Sequence, residues 1–156
     1  MKKSNNFAHA AMLIRKPIAE VFEAFTNPEI TTQFWFTHSQ GKLEEGKTTE
    51  WTWEMYDLSI EVDILKLTPN EIIIFEWENR GQKTKVECEF KSLDKYKTFV
   101  SIVNYGFSGT NEEIISTIRD STGGFSWVLA GLKAYLEYGI KLNLTADRFP
   151  KEIGFH

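Results

Sequence analysis

From Gly123 to Ile140 the chain runs GGFSWVLAGLKAYLEYGI, one helix with too little polar surface to stand alone. At about 100° per residue, Phe125, Val128, Leu129, Leu132, Tyr135, Leu136 and Ile140 fall on one stripe. Trp127, Gly131, Ala134 and Tyr138 form a second stripe roughly opposite, and only Ser126, Lys133 and Glu137, with Lys141 at the edge, mark a polar face. A helix apolar around about two-thirds of its circumference has to be wrapped by other parts of the chain. The wrapper is at hand, because Thr48 to Tyr105 alternates almost throughout with the period of β-strands. A curved sheet gripping a helix is therefore expected, with a pocket between them.

The strands follow from the alternation. Trp51, Trp53 and Met55 alternate with Thr52 and Glu54, and Leu58, Ile60, Val62 and Ile64 with Ser59, Glu61 and Asp63. Ile73, Phe75 and Trp77 alternate with Ile74, Glu76 and Glu78, then Val86, Cys88 and Phe90 with Glu87, Glu89 and Lys91. One apolar and one solvated face per strand is the pattern of an antiparallel sheet. Turn residues separate the runs at Tyr56-Asp57, Pro69-Asn70, Asn79-Arg80-Gly81 and Leu93-Asp94-Lys95. Thr98 to Phe107 is a last strand with two competing inward faces, Phe99/Val103/Tyr105 and Val100/Ile102/Asn104.

Outside the sheet, Phe7 to Arg15 suits a first strand. Pro17 to Thr26 suits a short helix with Ile18, Val21, Phe22 and Phe25 inward. Asn27-Pro28-Glu29 starts a second one, which runs out near Phe34-Trp35-Phe36: Asn27 caps, Pro28 fits the first turn and Glu29 faces the positive helix end. Thr110-Asn111-Glu112-Glu113 is a capping box opening a further helix, which Thr122-Gly123-Gly124 is expected to kink or interrupt. Gly139 is not read as the helix end, since Ile140, Leu142 and Leu144 continue the apolar spacing. The tail carries Phe149, Ile153 and Phe155 and is expected to pack.

Composition removes several functions. A net charge of −4 argues against a phosphate-backbone partner, so no nucleic acid is expected. No run approaches the roughly 20 apolar residues of a membrane span, and the start MKKSNN lacks a leader's apolar core. A single cysteine, Cys88, excludes an internal disulfide and fits a reducing, cytoplasmic setting. Gly41 to Thr48 matches the phosphate-loop pattern G-x-x-x-x-G-K-[ST], but a strand follows it where that loop needs a helix, and Glu44 and Glu45 would repel phosphate. His9, His38 and His156 lack ligand spacing, so no metal and no cofactor is expected. The sheet carboxylates fall on the solvated faces, and no catalytic constellation stands out.

Two segments carry a resemblance. Arg15 to Glu29, RKPIAEVFEAFTNPE, followed by Trp35, is similar to the opening of the activator-of-heat-shock-protein-ATPase-like (AHSA-type) group of the START-like (SRPBCC) helix-grip superfamily. Gly124-Phe125-Ser126-Trp127 with Leu129, Leu132, Tyr135, Leu136 and Glu137 resembles that group's closing helix, here with Phe125-Ser126 between glycine and tryptophan. The likeness spans nearly the whole chain and implies one domain over residues 1–156. It implies an α+β helix-grip fold: a curved antiparallel sheet of six to seven strands wrapped around a long C-terminal helix, with two short helices after the first strand. It also implies a cavity between sheet and helix, and it brings no catalytic motif to carry over.

Members of the wider superfamily bind lipids, sterols, polyketides or plant hormones. Some cyclise polyketides, and others act as chaperone co-factor domains. The leading expectation is accordingly a binding protein for a small hydrophobic molecule, lipid-, polyketide- or flavonoid-like. Candidate lining residues are Trp51, Trp53, Ile60, Val62, Phe75, Trp77, Phe90, Trp127 and Leu132. The alternatives are a cyclase or hydrolase using Asn104, His9 or His38 inside the pocket, and a chaperone-binding module using the acidic sheet face or the Trp35 region. A homodimer, through the second helix stripe or the tail, is compatible with each.

Overall fold

A computed structural model describes residues 6–79 and 81–154 of the chain. The residues before Asn6, Arg80 of the Asn79–Gly81 turn, and Phe155 and His156 of the tail lie outside the described residues. The elements run β1 (Phe7–Ile14), α1 (Ile18–Thr26), α2 (Pro28–Thr31), β2 (His38–Ser39), β3 (Thr48–Trp53), β4 (Leu58–Thr68), β5 (Ile72–Asn79), β6 (Gln82–Asp94), β7 (Lys97–Tyr105), α3 (Asn111–Tyr138) and α4 (Leu144–Asp147). All strand pairs are antiparallel, in one open sheet of order β1-β7-β6-β5-β4-β3-β2. This is the α+β helix-grip arrangement: a seven-stranded antiparallel sheet around a long C-terminal helix, with two short helices after β1.

Strand alternation builds the inner face. Trp51, Trp53, Ile60, Val62, Ile64, Ile73, Phe75, Trp77, Val86, Cys88 and Phe90 are all buried. β7 settles its two competing faces in favour of Thr98, Val100, Ile102 and Asn104, all buried, while Phe99 turns outward. Val103 is buried too, beneath its outer-face register neighbours His9 and Glu87. β4 bulges between Ile64 and Lys66 and β6 between Ser92 and Asp94, and such bulges bend a sheet. β2 is only two residues long and no alternation announces it. Met55 leaves the strand pattern, because Glu54–Tyr56 form a 3₁₀ turn that ends at Asp57 with a left-handed backbone (φ 50°). The turn expected at Leu93–Lys95 falls slightly later, where Asp94 Oδ1 accepts from the Tyr96 N–H at 2.8 Å.

α1 docks through Phe22 and Phe25, whose rings meet Phe90 edge-on at 5.0 and 5.2 Å. α2 is capped by Asn27, whose side chain accepts from the Glu29 N–H at 3.1 Å. Trp35 in the loop after it is the hub of the core, with ring centroids 5.0 Å from Trp51, 5.9 Å from Phe125 and 6.3 Å from Phe75 and Trp77. The phosphate-loop lookalike is a turn, with Gly46 at φ 81°, and β3 follows it.

Two expectations about α3 are corrected. Gly123-Gly124 does not interrupt it: one helix runs unbroken from Asn111 to Tyr138, opened by the Thr110/Glu113 capping box. The glycines serve a close approach instead. A Cβ on Gly123 would lie 2.9 Å from Arg148 Nη2, and one on Gly124 2.9 Å from Arg148 Nη1. Gly139 does end the helix, in the left-handed conformation (φ 67°) that closes a helix C-terminus, its N–H bonded to the Ala134 and Tyr135 carbonyls. Ile140 and Leu142 therefore leave the helix and are exposed, and Leu144 opens α4. Of the first stripe, Phe125, Val128, Leu129 and Leu132 are buried; of the second, Gly131 is buried against Phe34, whereas Trp127 is 46% and Tyr138 71% exposed.

Candidate functional site: a cavity between sheet, helix and tail

The sheet and α3 do not close on each other everywhere. Between the inner ends of β3, β4 and β5, the stretch of α3 around Thr117–Val128, and the tail lies a cavity of about 770 Å³. Its apolar wall comes from Trp35, Trp53, Ile60, Trp77, Phe125 and Val128, with Trp127 at the exposed rim.

The other wall is polar and begins in the sheet. Thr84 occupies an inward position of β6, followed by Val86, Cys88 and Phe90, and Asn104 an inward position of β7. They are only 5% and 4% exposed. Polar groups so buried need partners. Asn104 Nδ2 donates to Thr84 Oγ1 at 3.0 Å and to the Lys85 carbonyl at 2.8 Å, and its Oδ1 accepts from Ser121 Oγ at 2.8 Å. The Trp77 indole N–H donates to Thr84 Oγ1 at 3.2 Å.

One residue before Ser121, Asp120 holds the tail. Arg148 Nη2 donates to the Asp120 carbonyl at 3.0 Å and to its Oδ1 at 3.1 Å, with the guanidinium lying on the glycine pair and stacked 4.9 Å from the Phe149 ring. Thr145 Oγ1 donates to the Trp35 carbonyl at 3.0 Å, and the Tyr56 hydroxyl donates to the Thr145 carbonyl. Burial pushes the Tyr56 phenol above its ordinary pKa, so it stays a donor at neutral pH. Thr145, Arg148 and Phe149 thus complete the cavity wall.

Of the nine lining candidates, the structure brings Trp53, Ile60, Trp77 and Trp127 to this cavity. Trp51, Val62, Phe75, Phe90 and Leu132 lie instead in the packed core; Trp51, for instance, is covered by the stacked Phe36 ring at 4.5 Å. Pattern reasoning missed Trp35 and Phe125 as lining residues, and the polar wall apart from Asn104. A signal for Thr84 existed: it is a polar residue at a core-facing position of an otherwise apolar strand face. Arg148 gave none, since its partner on α3 is 28 residues away.

His9 and His38 are exposed and face away from the cavity, His9 Nε2 lying 3.0 Å from Ser101 Oγ. Among the described residues no three His, Cys, Asp or Glu side chains gather where a metal ion could sit. Cys88 is buried, and burial followed by the neighbouring Glu87 charge pushes its thiol well above the ordinary range, as for an inert side chain. The acidic outer face holds as expected, with Glu61, Glu78 and Glu89 exposed. Glu87 there accepts from the Tyr105 hydroxyl at 2.7 Å, and burial together with that carboxylate pushes the phenol up to about 12.

Residues 15–137 match the family model of the activator of Hsp90 ATPase homolog 1-like proteins. The chain belongs to this family. Among solved structures, protein SSP2350 from Staphylococcus saprophyticus is 27% identical, with a TM-score of 0.76 over 87% of this chain and 95% of that one. The Aha1 dimer from Colwellia psychrerythraea is 16% identical, with a TM-score of 0.71 over 85% and 97%. DynU16, a putative protein in the dynemicin biosynthetic locus, is 18% identical with a TM-score of 0.77 over 88% of this chain, which spans 49% of DynU16. Below a quarter identity such likeness speaks for the fold alone. No curated protein matches the sequence. Within this Hsp90-ATPase-activator-like domain, the family match stops at Glu137, so α4 and the Thr145–Phe149 wall of the cavity lie beyond it. No helix among the described residues is long and apolar enough to cross a membrane.

Proposed function

We propose that this protein binds a small, largely apolar molecule in the cavity between the sheet, α3 and the tail. The observation that carries the reading is the cavity itself: about 770 Å³, walled by Trp35, Trp53, Trp77, Phe125 and Trp127. Ligand sites commonly enclose roughly 300–1,000 Å³ with mostly apolar walls and few polar groups. Trp53, Ile60, Trp77 and Trp127 are the proposed contacts, and Trp51, Val62, Phe75, Phe90 and Leu132 support them from behind. The protein works in the cytoplasm on this reading, where its single thiol stays reduced.

Native mass spectrometry and thermal shift against lipids, flavonoids and polyketide-like aromatics test the proposal. A stoichiometric adduct that raises the melting temperature, and that is lost on filling the cavity with Ser121→Phe, is the expected result. Melting unmoved by every apolar compound overturns it. Conversion of the bound compound to a product of different mass replaces binding by catalysis of the cyclase kind.

The family's description favours a second reading, activation of a heat-shock ATPase. Its measurement is ATP hydrolysis by purified Hsp90 with and without the protein; an unchanged rate removes it. Assembly as a homodimer is part of either proposal. The description of the Colwellia relative as a dimer and the exposed Tyr138, Ile140 and Leu142 support it, and light scattering in solution decides it.

A further inference from the structure

We infer that the cavity selects a flat aromatic molecule bearing an uncharged carbonyl oxygen, which Thr84 and Arg148 bind from one wall. The inference rests on the cavity being a ligand site and adds the chemistry of the ligand.

A threonine hydroxyl has two lone pairs and one proton. Thr84 Oγ1 accepts from Trp77 Nε1 at 3.2 Å and from Asn104 Nδ2 at 3.0 Å, which occupies both lone pairs. Its proton is then left to donate, yet it has no acceptor among the hydrogen bonds of Thr84, which is 5% exposed and on the cavity wall. The direction of the bond network therefore fixes Thr84 as a donor toward the cavity. A buried donor left unused costs about 1–3 kcal/mol, so an acceptor in the cavity is favoured.

Arg148 repeats the pattern. Its Nη2 is occupied by the Asp120 carbonyl and carboxylate, while the hydrogens on Nη1 and Nε make no hydrogen bond to the described residues. Its side chain is 23% exposed, lies against Gly124 and lines the same cavity. Thr84 and Arg148 line the same cavity, and the two polar clusters reach α3 at neighbouring residues, Ser121 and Asp120.

Charge decides between a carbonyl and a carboxylate. Asp120 already pairs with the guanidinium at 3.1 Å, so a carboxylate would bring a second anion beside it into a space walled by indoles. Desolvating such a charge is far more costly than desolvating a carbonyl. The indole and phenyl walls favour a flat ring system as the rest of the ligand; Trp77 and Phe125 already stack at 6.1 Å with 28° between planes. Arg148 comes from the tail, beyond residues 15–137 of the family match.

Three matched probes test the inference by tryptophan fluorescence and calorimetry at neutral pH: 9-acetylphenanthrene, 9-ethylphenanthrene and phenanthrene-9-carboxylate. The acetyl compound is expected to bind on the order of 10-fold tighter than the ethyl compound, the difference of a charge-assisted hydrogen bond, and tighter still than the carboxylate. Arg148→Met should shrink the acetyl-to-ethyl affinity ratio to about twofold or less, a ratio that a loosened tail lowering both affinities alike would not move. Equal binding of acetyl and ethyl probes, or tightest binding of the carboxylate, overturns the inference while leaving the cavity as a ligand site. Failure of all three probes to bind overturns the inference as well, and the lipid and polyketide screen then decides the cavity by itself. The wild-type series decides even if the variant does not fold.

Discussion

Two stretches of one helix face the same sheet with opposite results. From Phe125 to Leu132, α3 presents Phe125, Val128, Leu129 and Leu132 inward, all four buried, with Leu129 and Leu132 in the packed core and Phe125 and Val128 where that core borders the cavity. Over the two turns before it, Thr117, Asp120, Ser121 and Gly124 face inward, and about 770 Å³ stays open. No side chain before Phe125 in this helix is fully buried. One unbroken helix runs through both stretches, and the small or polar residues Thr117, Ser121 and Gly124 leave space where Leu129 and Leu132 fill it. A helix-grip fold can thus hold its sheet with one half of the helix and leave the other half for a ligand.

The largest test of this division lies in the gripped half. Leu129 is fully buried, and Leu129→Ala should cost about 3 kcal/mol or more, from lost transfer energy plus the void left behind. Thr117→Ala on the cavity side should stay within about 0.5 kcal/mol. Denaturant titrations of both variants check the pair, and similar costs would dissolve the contrast. A smaller loss is expected at the polar wall. Thr84→Val keeps the shape but removes the acceptor of Trp77 Nε1 and one of the two acceptors of Asn104 Nδ2, for about 1–2 kcal/mol. A neutral outcome would mean that the cavity already satisfies these donors with solvent.

The gripped half also carries the helix's anchor to β1. Burial alone would raise the Glu137 carboxyl, but the Arg15 N–H at 2.8 Å and the Lys133 ammonium at 2.8 Å outweigh it and hold it below its ordinary range. Lys133 Nζ bonds the Leu13 carbonyl at 2.8 Å as well. A carboxyl lowered on folding contributes stability above its unfolded pKa of about 4.3, and that stability is lost as pH falls through the folded value. Glu137→Gln should therefore cost about 1 kcal/mol at neutral pH and make the acid limb below about pH 5 shallower. Melting temperature against pH measures both. Parallel curves for the two proteins would assign the acid sensitivity elsewhere.

Much of the fold was legible because period two and period 3.6 are local signals. Trp51 and Trp53 could be placed on the inner sheet face from their spacing, and so could Ile60 and Val62. Their division between core and cavity could not. It depends on what stands opposite: the Phe36 ring covers Trp51, whereas Trp53 faces the small residues of α3. The inner face of β7 was ambiguous because both sets of alternate residues are largely apolar, and Asn104 goes inward only because Thr84, Ser121 and the Lys85 carbonyl await it. The glycine pair misled for a related reason. Local propensity marks Gly123-Gly124 as a weak point in a helix, but the reason for two hydrogens there is Arg148, brought by a tail that shows no period at all.

That pair yields the smallest and most discriminating effect. Gly124→Ala should favour the helix by about 1 kcal/mol or less through backbone entropy, because the backbone at Gly124 is helical. The added methyl would sit 2.9 Å from Arg148 Nη1, at the end of a flexible side chain that can move aside. Moving it loosens the bonds to Asp120, so the gain and the loss in stability nearly cancel. The tail should register what global stability does not. Amide exchange in residues 144–148 should quicken while that of Phe125–Leu132 stays as protected as before. Equal protection of the tail in both proteins would mean that the glycines are not the seat that positions Arg148. Faster exchange throughout α3 would mean that its two stretches are one cooperative unit after all, and that the open half is held as firmly as the gripped one.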